Sequence, residues 1–209
     1  MNLNDITSDQ IIRNHTEFER RLAYYKDLGL DQIALRKEFI DLIHFKPARI
    51  LEVGTGKGIL TIFLTKICDS IISVDMDTQE QRIAMLNLMY HQCEQAVTLL
   101  CADAGQLGFA DKYFDLTVSA ISFHHFEEPK KVIDEMARMT ARQLIISDFN
   151  ETGFEIIEKA HRQENRQHFK TGHRFSQISQ WLEQKGFSVT ASFYECQTVY
   201  CAKRNGIEQ

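Results

Sequence analysis

Three glycines at alternate positions, Gly54, Gly56 and Gly58, follow a short apolar run (Ile50, Leu51, Val53) and precede another, Ile59 to Leu64. A glycine turn between strand and helix offers bare backbone N–H groups to a ligand, and without Cβ atoms the ligand can come close. A second apolar run, Ile71 to Val74, ends at Asp75. An acidic residue about 20 positions past such a turn is where a carboxylate accepts from both hydroxyls of a ribose. Thr78-Gln79-Glu80-Gln81 reads as the capping box of the following helix, which leaves Asp75 to a ligand. Further on, His124 and His125 follow a fourth apolar run, and Asp148 ends a fifth. A histidine placed there can orient or deprotonate a hydroxyl, and Asp148 is a second candidate base.

Regular elements must bring these residues together. The apolar runs predict strands near 49–53, 70–74, 96–101, 114–120 and 143–148, and helices near 57–68, 78–92 and 129–140. Such alternation implies a parallel sheet with right-handed crossovers, whose ligands sit beyond the carboxyl ends of the strands. Gly54, Asp75, Asp103, Ser119 and Asp148 all fall at such ends. Two helices precede this core. One covers 8–28 and stops at Gly29; the other runs from a cap at Asp31 through Phe45, with Ile33, Phe39, Ile40 and Ile43 facing inward, until Pro47 breaks it. Helical stretches at 151–166 and 175–185 follow the core, and Phe187–Phe193 and Thr198–Ala202 read as a closing hairpin. The expected fold is α/β: a doubly wound Rossmann-like sheet of about seven strands, mostly parallel, with an antiparallel C-terminal hairpin and two N-terminal helices. One domain over 1–209 is expected, divided into a helical lid (1–46), a cofactor-binding core (47–149), acceptor-side helices (150–185) and the hairpin (186–204).

The spacing Glu52-x-Gly54-x-Gly56-x-Gly58 departs from the G-x-G-x-x-G of dinucleotide folds. It resembles motif I of the class I S-adenosylmethionine-dependent methyltransferases. Val97–Cys101 ends at Ala102-Asp103-Ala104, where that family places an acidic residue. Phe114–Ala120 with Ile121-Ser122-Phe123-His124-His125-Phe126 is similar to the F-D-x-V-x-S…L-H-H segment of its small-molecule branch, which includes the ubiquinone and menaquinone biosynthesis enzymes. The resemblance covers residues 48–149. Two loops depart from it. Leu107-Gly108-Phe109 stands where the family has Leu-Pro-Phe, and Arg138–Gln143 lacks the family's Lys-Pro-Gly-Gly, so the turn into the fifth strand needs another conformation.

The resemblance implies S-adenosylmethionine as cofactor, S-adenosylhomocysteine as product, and methyl transfer by in-line displacement to a small-molecule acceptor. Alignment of donor and acceptor is then the protein's main task. It further implies that Glu52 holds the methionine ammonium, that the backbone of the 54–58 turn, Thr55 included, faces the methionine carboxylate, and that Asp75 takes the ribose. Met76 and Ala104 would flank the adenine, Asp103 would meet its amine, and Ser119 would lie near the methionine end. In the family the N-terminal helices fold over the cofactor, and Tyr24 and Tyr25 would line the acceptor pocket. The family builds that pocket between the fifth and sixth strands. There the basic segment 159–174, through Arg166 and Arg174, is expected to bind the carboxylate or phosphate of an acidic acceptor; the other reading is a solvated helix face.

The bulk numbers exclude some classes. A net charge of −5 argues against a sequence-independent grip on nucleic acid. No apolar run approaches the roughly 20 residues of a membrane span, and Met1–Thr7 has neither the basic nor the apolar region of a signal peptide, so cytoplasmic residence is expected. Cys68, Cys93, Cys101, Cys196 and Cys201 form no C-x-x-C pair, no metal is expected, and Cys101 falls in a strand read as buried. A homodimer is left open. Two other functions remain: a module that binds the cofactor without turnover, and an NAD(P)-dependent oxidoreductase. The glycine spacing, Asp103 and the terminal hairpin all count against the latter.

Overall fold

The computed structural model describes residues 6–163 and 174–206. Thr7 opens helix α1 (Ser8–Asp27) through a reciprocal capping box with Gln10, and Gly29 ends it at a φ of +98°. Asp31 caps α2 (Gln32–Ile40) by accepting from the N–H groups of Ile33 and Ala34. This helix stops five residues short of the expected Phe45. Its last turn tightens, with Ile43 N–H donating to the Ile40 carbonyl, and the Leu42 carbonyl accepts from the Gln143 side chain instead. Ile40, Leu42, Ile43 and Phe45 all pack against the core, a spread that one helical face could not manage.

The strands β1 (Ile50–Val53), β2 (Ile71–Asp75), β3 (Val97–Cys101), β4 (Phe114–Ala120), β5 (Thr140–Phe149), β6 (Phe187–Phe193) and β7 (Gln197–Arg204) form one sheet in the order β3-β2-β1-β4-β5-β7-β6. The first five are parallel; β7 runs antiparallel to both β5 and β6. Helices α3 (Ile59–Leu64), α4 (Thr78–Tyr90), α5 (Pro129–Met139), α6 (Glu151–Gln163) and α7 (Gln177–Glu183) complete the fold. α3 is half the expected length, because Gly58 at φ +80° begins it late and three-residue turns at Lys66 and Ile67 end it early. Asp77, not Thr78, caps α4, accepting from Gln79 and Glu80. The missing Lys-Pro-Gly-Gly turn is replaced by no turn at all. Thr140 is both the cap of α5 and the first residue of β5, its hydroxyl donates to the Met136 carbonyl, and Arg204 of β7 binds the Thr140 carbonyl at 2.8 Å.

Alternate residues of the strands feed two cores. Leu51, Val53, Leu144 and Ile146 pack with α5 and α7 on one face of the sheet, and Ile50, Ile71, Leu116 and Ile145 pack with α2, α3 and α4 on the other. A third cluster, with Tyr25, Leu30, Leu35, Phe149, Ile157 and Ala160, joins α1, α2 and α6 over the carboxyl end of β5. Cys101, read as buried, is exposed on the edge strand β3; Cys68, Cys196 and Cys201 are buried. Among the described residues no helix is long and apolar enough to cross a membrane, and no group of three or more acidic, histidine or cysteine side chains could hold a metal.

Candidate cofactor and active site

A cleft of about 850 Å³ lies at the carboxyl ends of the parallel strands, roofed by α1, α2 and α6. The glycine turn forms its floor, but not in the expected manner. The N–H groups of Gly54 and Thr55 donate to the Val74 carbonyl, that of Gly58 to the Thr55 carbonyl, and that of Gly56 to Asp75 Oδ2 at 2.8 Å. These four donors are occupied within the protein. Gly54 must be glycine for two reasons: its φ is +88°, and a Cβ there would overlap the Ser122 hydroxyl. A Cβ on Gly56 would meet nothing within 4 Å, so that position keeps cleft space open. Gly58 does not line the cleft. It lets α3 approach Ala84 of α4.

Glu52 stands at the base of the cleft, 1% exposed. Its Oε2 accepts from Thr61 and Ser73, both at 2.6 Å, while Oε1 is buried without a partner. Burial pushes its carboxyl up to about 7, against the pull of those two hydroxyls and of Arg36. Thr55 turns its side chain down onto the same network, 2.6 Å from Ser73, so only its backbone side faces a ligand. Asp75 accepts one N–H on each oxygen, from Gly56 at 2.8 Å and from Asp77 at 3.0 Å. Each oxygen keeps a lone pair for a further donor. Met76 is largely exposed beside it. Across the cleft, Asp103 accepts from the Gly105 N–H, and Lys131 stands 3.5 Å away; Ala104 lines the same wall.

Past β4 the chain turns through Ile121, a β-branched residue at φ +57°, held by its N–H on the Ser147 carbonyl. That turn brings Ser122 over Gly54 and His124 against Asp148. His124 Nδ1 lies 2.6 Å from Asp148 Oδ1, and the His124 N–H donates to Oδ2 at 2.8 Å. Both side chains are buried, yet His124 lines the cleft, with the His125 ring tilted against it at 4.0 Å between ring centres. Phe149 and Phe154 pack on the His124 ring. Asp148 stands behind the histidine and does not line the cleft.

The remaining candidates divide. Tyr25 lines the cleft, its hydroxyl accepting from Arg21, whereas Tyr24 packs into the third core cluster. Ser119 is fully buried and does not reach the cleft; Ser122, three residues later, does. Arg174 is exposed and outside the lining, as are Lys159 and Arg162, while His161 faces in. Arg166 lies outside the described residues. Arg36 of α2 was not expected. It is buried at the cleft, no hydrogen bond reaches its Nε or Nη1, and burial lowers its guanidinium to about 10. The signal was present in the sequence: a lone charge three residues from Ile33 and three from Phe39, on the face read as apolar.

Comparison with known proteins agrees with this architecture. A family model described as a methyltransferase domain matches residues 51–145. A demethylmenaquinone methyltransferase from Porphyromonas gingivalis is 27% identical over 122 residues, covering 57% of this chain and 50% of that protein. The chain spans about half the length of the curated relatives it matches first. A SAM-dependent methyltransferase from Aquifex aeolicus has the same fold, with a TM-score of 0.64 at 18% identity over 87% of this chain and 97% of that one. So has the magnesium protoporphyrin IX methyltransferase of Synechocystis, solved with bound SAM, with a TM-score of 0.62 at 16% identity over 96% and 86%. The cleft fits that cofactor. A buried acceptor without a donor, Glu52 Oε1, suits an ammonium, and the remaining lone pairs of Asp75 suit a ribose diol. With residues 51–145 matched to a methyltransferase domain and β7 inserted antiparallel between β5 and β6, the chain is similar to S-adenosylmethionine-dependent methyltransferases in the sequence of its core and shares their fold.

Proposed function

We propose that this protein transfers a methyl group from S-adenosylmethionine to an apolar small molecule whose attacking group gives up its proton to His124. The buried His124–Asp148 pair, opening on the same cleft as the glycine turn and Asp75, carries this reading. When bound, S-adenosylmethionine supplies an electrophilic methyl on a positively charged sulfur. Glu52 Oε1 would accept from its ammonium and Asp75 from its ribose hydroxyls. Met76 and Ala104 would flank the adenine, and Asp103 would exchange part of its contact with Lys131 for the ring's amine.

Asp148 is a positioning residue. A carboxylate only accepts, so its contact puts the hydrogen of His124 on Nδ1 and leaves the lone pair on Nε2. That tautomer prepares the ring to take a proton from an acceptor hydroxyl or acidic C–H as the new bond to the methyl carbon forms. Phe18, Leu22, Tyr25, Phe126, Phe149 and Ile157 wall the cleft, which favours an acceptor with an apolar body. Relatives named for demethylmenaquinone are in keeping with that class. The described part of the basic segment adds only His161 to this wall, so an acidic acceptor draws no support from it.

The test has two arms. Calorimetric titration should give micromolar S-adenosylhomocysteine binding to the wild type, binding at least about tenfold weaker to Asp75→Ala, and no heat with NADH. In methyl transfer to hydroxylated aromatic acceptors, His124→Gln should lower kcat by roughly 10²–10⁴ while S-adenosylhomocysteine affinity stays within about threefold. Binding of NADH in place of S-adenosylhomocysteine would overturn the cofactor reading. An unchanged kcat would overturn the role of His124.

A further inference from the structure

We infer that Asn87 of α4 is a positioning residue that ties the glycine turn to the roof helix α1, so that a cofactor seated on the turn holds the roof closed and slows its own release. The inference rests on the cofactor reading above. The family match covers the turn and Asn87 but not Asn14, the α1 residue at the other end of the tie.

Three observations carry it. First, Asn87 is fully buried, and its amide serves two elements at once. Nδ2 donates to the Lys57 carbonyl at 2.9 Å, and Oδ1 accepts from Asn14 Nδ2 at 2.7 Å. A carbonyl only accepts, so the Lys57 contact fixes which way the Asn87 amide points, and that fixes the Asn14 amide in turn. The tie therefore has one polarity from turn to roof. Second, its turn end is joined to the cleft. Beside the Lys57 carbonyl, the Gly56 N–H donates to Asp75 Oδ2, and Gly58, at φ +80°, lies against Ala84, about one helical turn before Asn87. A shift of residues 56–58 that alters the Asp75 contact alters the Asn87 contact with it. Third, neither asparagine lines the cleft, whereas Phe18, Arg21, Leu22 and Tyr25 of the same α1 do. Helix α1 has no strand pairing and packs chiefly on α4, where His15 also stacks on Tyr90. Apolar side chains of similar shape would pack two helices about as well as a satisfied amide pair. What the amides add is a directional connection between the roof and the turn.

The experiment times the association and release of S-adenosylhomocysteine on the full chain by surface plasmon resonance. Asn14→Leu removes the roof end of the tie and keeps a good helix former. It should raise koff roughly three- to tenfold and leave kon within about twofold. Asn87→Leu removes both ends and should raise koff at least as much. The double variant should release no faster than Asn87→Leu alone, because the tie is already cut. Asn14→Asp is the control for shape. It has nearly the size of asparagine but sets an acceptor against Asn87 Oδ1, so it should release as fast as Asn14→Leu, which a role in packing alone would not produce. Should Asn87→Leu fail to fold, the two variants at the half-buried position 14 still decide the matter. An unchanged koff in Asn14→Leu or Asn14→Asp, or effects that multiply in the double variant, would overturn the inference. Absence of S-adenosylhomocysteine binding by the wild type would instead remove the cofactor reading beneath it.

Discussion

Glu52 is held in two roles that pull against each other. Burial raises its carboxyl to about 7 from the ordinary 4.5, and two hydroxyls and Arg36 resist that rise. Because the folded value lies above the unfolded one, the native protein takes up a proton between about pH 4.5 and 7. Its stability without ligand therefore falls as pH rises through that window and stays lower above it. Glu52→Gln should be more stable than the wild type at pH 8, by a margin of order 1–3 kcal/mol, and should match it near pH 5. Urea unfolding at the two pH values measures this, and an equal offset at both would sink it. The same substitution should weaken S-adenosylhomocysteine binding, since an amide cannot pair with an ammonium as a carboxylate does. At this scale the sequence was legible where a residue's place at the cleft follows from a local motif, as for Asp75. It was not legible for Arg36 or Ser122. Arg36 reaches the cleft only because α2 folds over the sheet, and Ser122 only because Ile121 takes a left-handed conformation that its own type disfavours. Ser119 stays out of the cleft because β4 is covered on both faces at that point, which a motif match does not count.

Between β1 and β4, turn and turn are fitted to each other. Ser122 occupies the space that a side chain at position 54 would need. Gly54→Ala should therefore cost about 2 kcal/mol or more, part from the left-handed φ of +88° and part from the overlap. Adding Ser122→Gly should recover the overlap part and not the rest. Thermal unfolding of the two variants reports this directly, and a double variant no better than the single one would refute the fit. Most elements were readable in advance, because strands bounded by glycine and acidic residues and helices with an apolar stripe announce themselves locally. β4 and β6 have the expected bounds. Two of the misplaced ends share a cause. α2 stops early and β5 starts early because side chains from elsewhere, Gln143 and Arg204, take carbonyls that a local reading assigns to a helix turn or a loop.

Over the whole molecule, the sheet order follows from alternating strands and helices closed by a hairpin, and the two cores follow from strand alternation. What no local pattern conveys is the third cluster, where residues from both ends of the chain meet over the cleft: Tyr25 and Leu35 from the N-terminal helices, Ile157 and Ala160 from α6. The two sides of the cleft thus hang on very different supports. Asp148 stands next to the last residue of β5, which is hydrogen-bonded along both edges, to β4 and to β7. Arg36 rides on a nine-residue helix with no strand pairing of its own. Backbone amides of β5 should exchange with deuterium only when the molecule opens globally, over hours or longer, whereas those of α2 should exchange far sooner and slow when S-adenosylhomocysteine is added. Uniform protection across both elements would contradict this. The acid–base pair would then persist through many openings of the roof, and each exchange of used cofactor for fresh would need only a local breath rather than an unfolding.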